Sequence, residues 1–106
     1  MAAKKRYRVR RVTERPDSDE MEPWTLYVVG NANVPFCAAM LCPCECRAPM
    51  YLSLVENDDP RWRVKVYSDG TPTIVPSVWR VVGCRSHFFM FRGRVAWVRE
   101  RFGRTR

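Results

Sequence analysis

Two short clusters hold most of the residues able to do chemistry in this sequence. Cys42-Pro43-Cys44-Glu45-Cys46 places three thiols at alternate positions, and Cys84-Arg85-Ser86-His87 adds a fourth thiol and the single histidine. Zinc takes thiolate and imidazole ligands in a tetrahedron, so its ligands come from short segments turned tightly enough to aim several side chains at one point. Pro43 breaks strand pairing and favours such a turn. A turn after Gly83 would bring Cys84 and His87 together across the two-residue spacing of many zinc knuckles. Cysteines at alternate positions are too close to bridge one another comfortably, and in a reducing compartment metal ligation is the better use of such a cluster. The rival use is redox or persulfide chemistry. Cys42, Cys44, Cys46, Cys84 and His87 are five candidates for four positions. Cys37, inside the apolar run Val34-Pro-Phe-Cys-Ala-Ala-Met-Leu41, reads as a small buried hydrophobe.

Whether the metal staples or reacts depends on the ligand count. Four protein ligands close the site, and a chain this short gains much from a staple. Three would leave a position for water with a lowered pKa, with Glu45 as a candidate base. Ser77 and Ser86 are the candidate nucleophiles. Ser86 and His87 are sequence neighbours, which on an extended chain face opposite sides. Ser77 could approach His87 in the fold, but a histidine bound to metal is not free to act as a base. The two roles compete, and the spacing favours His87 as a ligand.

The elements that must position these residues follow a period of two. Tyr7, Val9 and Val12 alternate with arginine, as in an edge strand. Residues 14–23 are an acidic connection bounded by prolines. Thr25–Val29 and Phe36–Leu41 are apolar strands around the turn signal Gly30-Asn-Ala-Asn33. Pro49–Val55, Trp62–Tyr67 and Thr73–Val75 follow, the last two joined by Ser68-Asp-Gly-Thr71. Val78–Val82 is an apolar connection into Gly83-Cys84. Phe88–Phe91 and Val95–Val98 flank Arg92-Gly-Arg94. No stretch holds apolar residues at helical spacing for three turns. The expected fold is a small, mostly β, antiparallel domain with little helix and a Cys/His zinc knuckle, one domain over residues 1–106.

The net charge of +8 is unevenly placed. Residues 21–91 hold six basic against six acidic side chains, so the excess lies in the ends, around 1–6 and 99–106. Such ends read as solvated tails more than as a shaped surface. No apolar run nears the roughly 20 residues that cross a bilayer, and the basic start leads into alternating charge, not an apolar leader. A cytoplasmic protein with no membrane partner is the expectation.

Leu26-Tyr-Val-Val-Gly30, Leu41-Cys-Pro-Cys-Glu-Cys46, Tyr51-Leu-Ser-Leu54, Pro60-Arg-Trp-Arg63, Pro76-Ser-Val-Trp79 and Gly83-Cys-Arg-Ser-His-Phe-Phe89 occur in this order. Together they resemble a bacterial family of small predicted metal-binding proteins encoded beside ubiquitin-like proteins and E1-like and E2-like enzymes. The resemblance covers about residues 7–98. It implies metal binding at Cys42, Cys44, Cys46, Cys84 and His87 and a place in a defence-associated ubiquitin-like conjugation pathway. Family members usually carry glycine at the position of Glu45, which argues against a catalytic glutamate; Ser77 and Ser86 match the family pattern.

Three functions follow as expectations. The first is a zinc-stabilised accessory module that binds the ubiquitin-like protein and its E1-like and E2-like partners, holding an extended tail along a free strand edge. The second is a peptidase that processes or deconjugates the ubiquitin-like protein, using Ser77 or Ser86 with His87, or an open zinc position. The third is nucleic-acid binding through the basic ends, with Tyr7, Trp97 and Phe102 for stacking.

Overall fold

The computed structural model describes residues 5–31, 33–44, 46–80 and 83–98. Eight strands run in chain order: β1 (Arg8–Val12), β2 (Thr25–Gly30), β3 (Pro35–Leu41), β4 (Pro49–Ser53), β5 (Arg63–Val66), β6 (Pro72–Trp79), β7 (His87–Phe91) and β8 (Arg94–Trp97). One 3-10 turn, Ser18–Glu20, is the only helix among the described residues. The mostly β expectation holds, with two refinements. The strands divide into two four-stranded sheets, β1-β2-β3-β4 and β5-β6-β7-β8. One pair, β1 with β2, is parallel. A parallel pair needs a crossover of about a dozen residues, and the acidic, proline-bounded segment between β1 and β2 supplies it.

Alternate residues of the two sheets meet in one core. Leu26 and Val28 of β2, Ala38 and Met40 of β3, and Met50 and Leu52 of β4 face Ile74 and Val78 of β6 and Phe88 and Met90 of β7. Tyr7 closes this core, and its hydroxyl donates to the Leu41 carbonyl at 2.8 Å. Tyr7 is therefore buried and is not available for stacking on a nucleobase; Trp97 is exposed, and Phe102 lies outside the described residues. The outer face of the first sheet is also covered. Met21, from the crossover, packs on Tyr27 and Ala39 with Val12 and Leu41 around them. This explains why β2 is apolar at every position from Leu26 to Val29.

β6 runs longer than expected. The residues from Pro72 to Trp79 form one strand, so the apolar residues at 78–79 belong to a strand and not to a connection; residues 81 and 82 lie outside the described part. The pairing of β6 with β7 shifts register between Ile74 and Val78. Shifts of this kind re-aim the side chains they enclose, and this one encloses Ser77.

The sheets are tied at their edges by the backbone before β1. Tyr7 N donates to Gly93 O at 2.8 Å and Gly93 N to Pro72 O at 2.7 Å. Gly93 has φ +81°, and a Cβ there would lie 2.6 Å from Tyr7 O. Left-handed backbone costs an L-residue about 1–2 kcal/mol, and the clash adds to it. Gly93→Ala is expected to lower stability by about 2 kcal/mol or more, read as a shift of the urea unfolding midpoint without change in slope.

Candidate metal centre and serine–histidine pair

Two turns carry the sulfurs. β3 ends at Leu41, and the next residue, Cys42, donates its N–H to Ala48 O at 2.7 Å. The chain then curls through Arg47, at φ +53°, bringing Cys44 and Cys46 back over Cys42. The second turn leaves β6, passes Gly83 at φ +70° and Arg85 at φ +58°, and presents Cys84. The sulfurs of Cys42, Cys44, Cys46 and Cys84 all lie within 4.8 Å of one another. Cys42 Sγ is 3.4 Å from Cys44 Sγ and 3.7 Å from Cys84 Sγ, and Cys44 Sγ is 3.1 Å from Cys46 Sγ. None is in a disulfide. A tetrahedral tetrathiolate with Zn–S near 2.3 Å has edges of about 3.8 Å, so the four sulfurs fit such an ion with small adjustments. Arg80 Nη1 lies 3.4 Å from Cys84 Sγ and 3.7 Å from Cys46 Sγ, placing positive charge where the thiolates would carry negative charge.

The thiols are unequal. Burial pushes Cys42 up to about 12. Cys84 falls to about 6: burial, the largest single influence, pushes it up, and hydrogen bonds from the Ser86 side chain and backbone and from neighbouring sulfurs together outweigh it. Ser86 Oγ sits 3.1 Å from Cys84 Sγ and 3.5 Å from Cys42 Sγ. Ser86 is thus turned towards the sulfurs, buried, with no contact to His87's ring. Cys37 is buried in β3 and lies outside the group of four; Glu45 lies outside the described residues.

His87 also stands apart from the sulfur group, on the opposite side of its strand from Phe88. Its register partner across the hairpin is Trp79, so the two rings share the outer face. They stack at 4.9 Å with an interplanar angle of 11°. Ser77, two residues before Trp79, points to the same face, and its Oγ is 2.8 Å from His87 Nε2. Trp62 Nε1 donates to the Ser77 carbonyl at 3.1 Å and steadies the backbone behind it. For Nε2 to accept the serine proton, Nδ1 must carry the other one; Nδ1 is buried with no hydrogen-bond partner among the described residues. Among the described residues, the ring is held by its stack on Trp79. Of the seven residues singled out in the sequence, the structure gathers Cys42, Cys44, Cys46 and Cys84 at one point, sets Ser86 against them, and pairs Ser77 with His87.

Compared with family models, residues 11–98 match the one described as bacterial ubiquitination-like system serine protease (BubE). Neither the curated proteins nor the solved structures compared with the chain give a match.

Metal content separates the two centres. Single Cys42→Ser, Cys44→Ser, Cys46→Ser and Cys84→Ser variants are expected to lose most of the bound metal, whereas Ser77→Ala and His87→Ala keep the wild-type stoichiometry, as elemental analysis of purified protein would read. Binding must also displace thiol protons. Affinity should therefore fall as pH drops, and more steeply below about pH 6, where Cys84 too takes up a proton; chelator competition at stepped pH measures this.

Proposed function

The chain belongs to this family, a family of bacterial ubiquitination-like systems, and on that premise we propose that it is a serine peptidase acting at the C-terminal side of the system's ubiquitin-like protein. The observation that carries this reading is the 2.8 Å contact between Ser77 Oγ and His87 Nε2. Ser77 is the nucleophile and His87 the base. As Oγ attacks the scissile carbonyl carbon, its proton passes to Nε2; His87 then gives that proton to the departing amine, leaving an acyl-enzyme. Water, deprotonated by the same nitrogen, releases the acid and restores the serine. Trp79 keeps the imidazole plane fixed through this cycle.

The substrate that suits the site is an extended chain end. β4 is an edge strand, and a groove lined by Met50, Tyr51, Trp62, Trp79 and Arg80 runs between it and β6. A tail laid there can hydrogen-bond to the open edge and bring its terminal carbonyl towards Ser77. The tail-holding role expected of an accessory module is thereby absorbed into that of a peptidase.

The metal in this reading is zinc with a structural duty. Four thiolates suit zinc and leave no open position for water. The centre instead fastens the hairpin end that aligns the reacting pair. Arg80 N donates to Ser86 O at 2.8 Å, so the residues after Trp79 and before His87 are tied together where Arg80 and Ser86 also touch the sulfurs. Zinc would hold Cys84 beside Cys42, Cys44 and Cys46 and so keep this rung in place.

Ser77→Ala and His87→Ala are each expected to lower kcat on the precursor of the ubiquitin-like protein by about a thousandfold or more, with metal content and circular dichroism unchanged. Chelation of wild type should remove activity too, with recovery on adding zinc. Full cleavage by metal-loaded Ser77→Ala would sink the assignment.

A further inference from the structure

The outer faces of the two sheets differ. The crossover from β1 to β2 covers the first, with Met21 over Tyr27 and Ala39. Over the second, the described residues place no comparable segment; the Tyr67 side chain reaches only Thr73, Lys65 and Arg92. Strand register shows what that leaves bare. Trp79 and His87 form one row; farther along, Arg63 stands beside Val75 and Lys65 beside Thr73 on β5 and β6, and Phe89 beside Ala96 and Phe91 beside Arg94 on β7 and β8. Val75 is 55 % exposed, Trp79 55 %, Phe89 52 % and Phe91 59 %. The central strands β6 and β7 therefore carry an apolar stripe that runs from the Ser77–His87 pair to the far end of the sheet.

The charged side chains on its own strands are all basic. Strands β5 to β8 contain Arg63, Lys65 and Arg94 and no Asp or Glu. Arg92, in the turn between β7 and β8, lies 3.9 Å from the Tyr67 ring centroid and 5.9 Å from that of Phe91, extending the basic rim around the stripe. An apolar centre inside a polar rim is the anatomy of a protein–protein interface. A single-stranded nucleic acid is a poorer fit: the cations stand on the flanking strands and the closing turn instead of tracking a backbone.

We propose that this face is the docking surface for the body of the protein substrate, and that the partner is a folded, acidic protein whose own apolar patch is bordered by carboxylates. Docking on the stripe leaves the partner's tail to reach the groove beside Ser77, so the enzyme recognises a folded protein and not merely a tail sequence. The identity of the partner as the substrate rests on Ser77 acting as nucleophile; the surface itself does not.

The test is calorimetric binding of the system's ubiquitin-like precursor to Ser77→Ala, which does not turn it over. Adding Phe89→Ser with Phe91→Ser, or Lys65→Glu with Arg94→Glu, should weaken binding about tenfold or more. Arg11→Glu, on the first sheet, should leave it within about twofold. Raising the salt from about 0.05 M to about 0.3 M should weaken wild-type affinity, as charge pairing at a rim requires. Unchanged affinity in both double variants would overturn the proposal, as would no binding at all, or displacement of the precursor by a single-stranded oligonucleotide. The catalytic reading fails separately. Wild type that binds the precursor through this face and cleaves nothing supports the docking surface and refutes Ser77 as nucleophile.

Discussion

Phe88 has no solvent exposure, and much follows from that. On a strand, successive side chains take opposite faces, so burying Phe88 against the first sheet forces His87 and Phe89 outward. Val78, paired with Phe88 and equally enclosed, does the same for Ser77 and Trp79. A one-residue slip of β7 would bury a histidine and expose a phenylalanine, and one of β6 would expose Val78. The register that protects the core is therefore the register that brings Ser77 to His87, and the hydrophobic term, worth about 25 cal/mol per Å² buried, holds a polar contact that could not hold itself.

The sulfur centre works at the end of that same hairpin. Ser86 and Arg80 each have a side chain towards the sulfurs and are hydrogen-bonded to each other through the backbone; Cys84 lies three positions before His87 and Arg80 three positions after Ser77. Cys84 comes from the second half of the chain and the other three thiols from the first. Bringing them together closes a long loop, an entropic cost that a metal ion held by the four sulfurs would offset. A domain of this size, with two thin sheets and no helix of length, has few other means of fixing a turn.

The cysteines were legible in the sequence because their spacing is local: alternate positions around Pro43 announce a turn whatever the surrounding fold. The strands were legible too, because alternation and turn residues are local. His87 was harder. Three residues after Cys84, it looks like a fourth ligand, and only the cross-strand register puts it opposite Trp79 and beside Ser77. That register depends on the shift between Ile74 and Val78 and on β6 continuing to Trp79, neither of which is marked by residue type. Ser77-x-Trp79 facing His87-x-Phe89 is the signal that could have shown the pair, once the two segments are read as one hairpin. The parallel β1 was hidden for a similar reason. A long acidic connection fits either direction of return, and the choice belongs to Met21 and Tyr27 packing on the sheet.

Each sheet consists of consecutive strands, the first from the first half of the chain and the second from the rest. During synthesis the first sheet can assemble while the second is still being made. Ser77 and His87 come late, and the backbone bond from Gly93 back to Tyr7 joins the final hairpin to the start of the chain. An incomplete polypeptide thus carries the thiols of one turn but neither Ser77 nor its histidine partner. A site arranged in this order forms only once the second sheet has closed on the first.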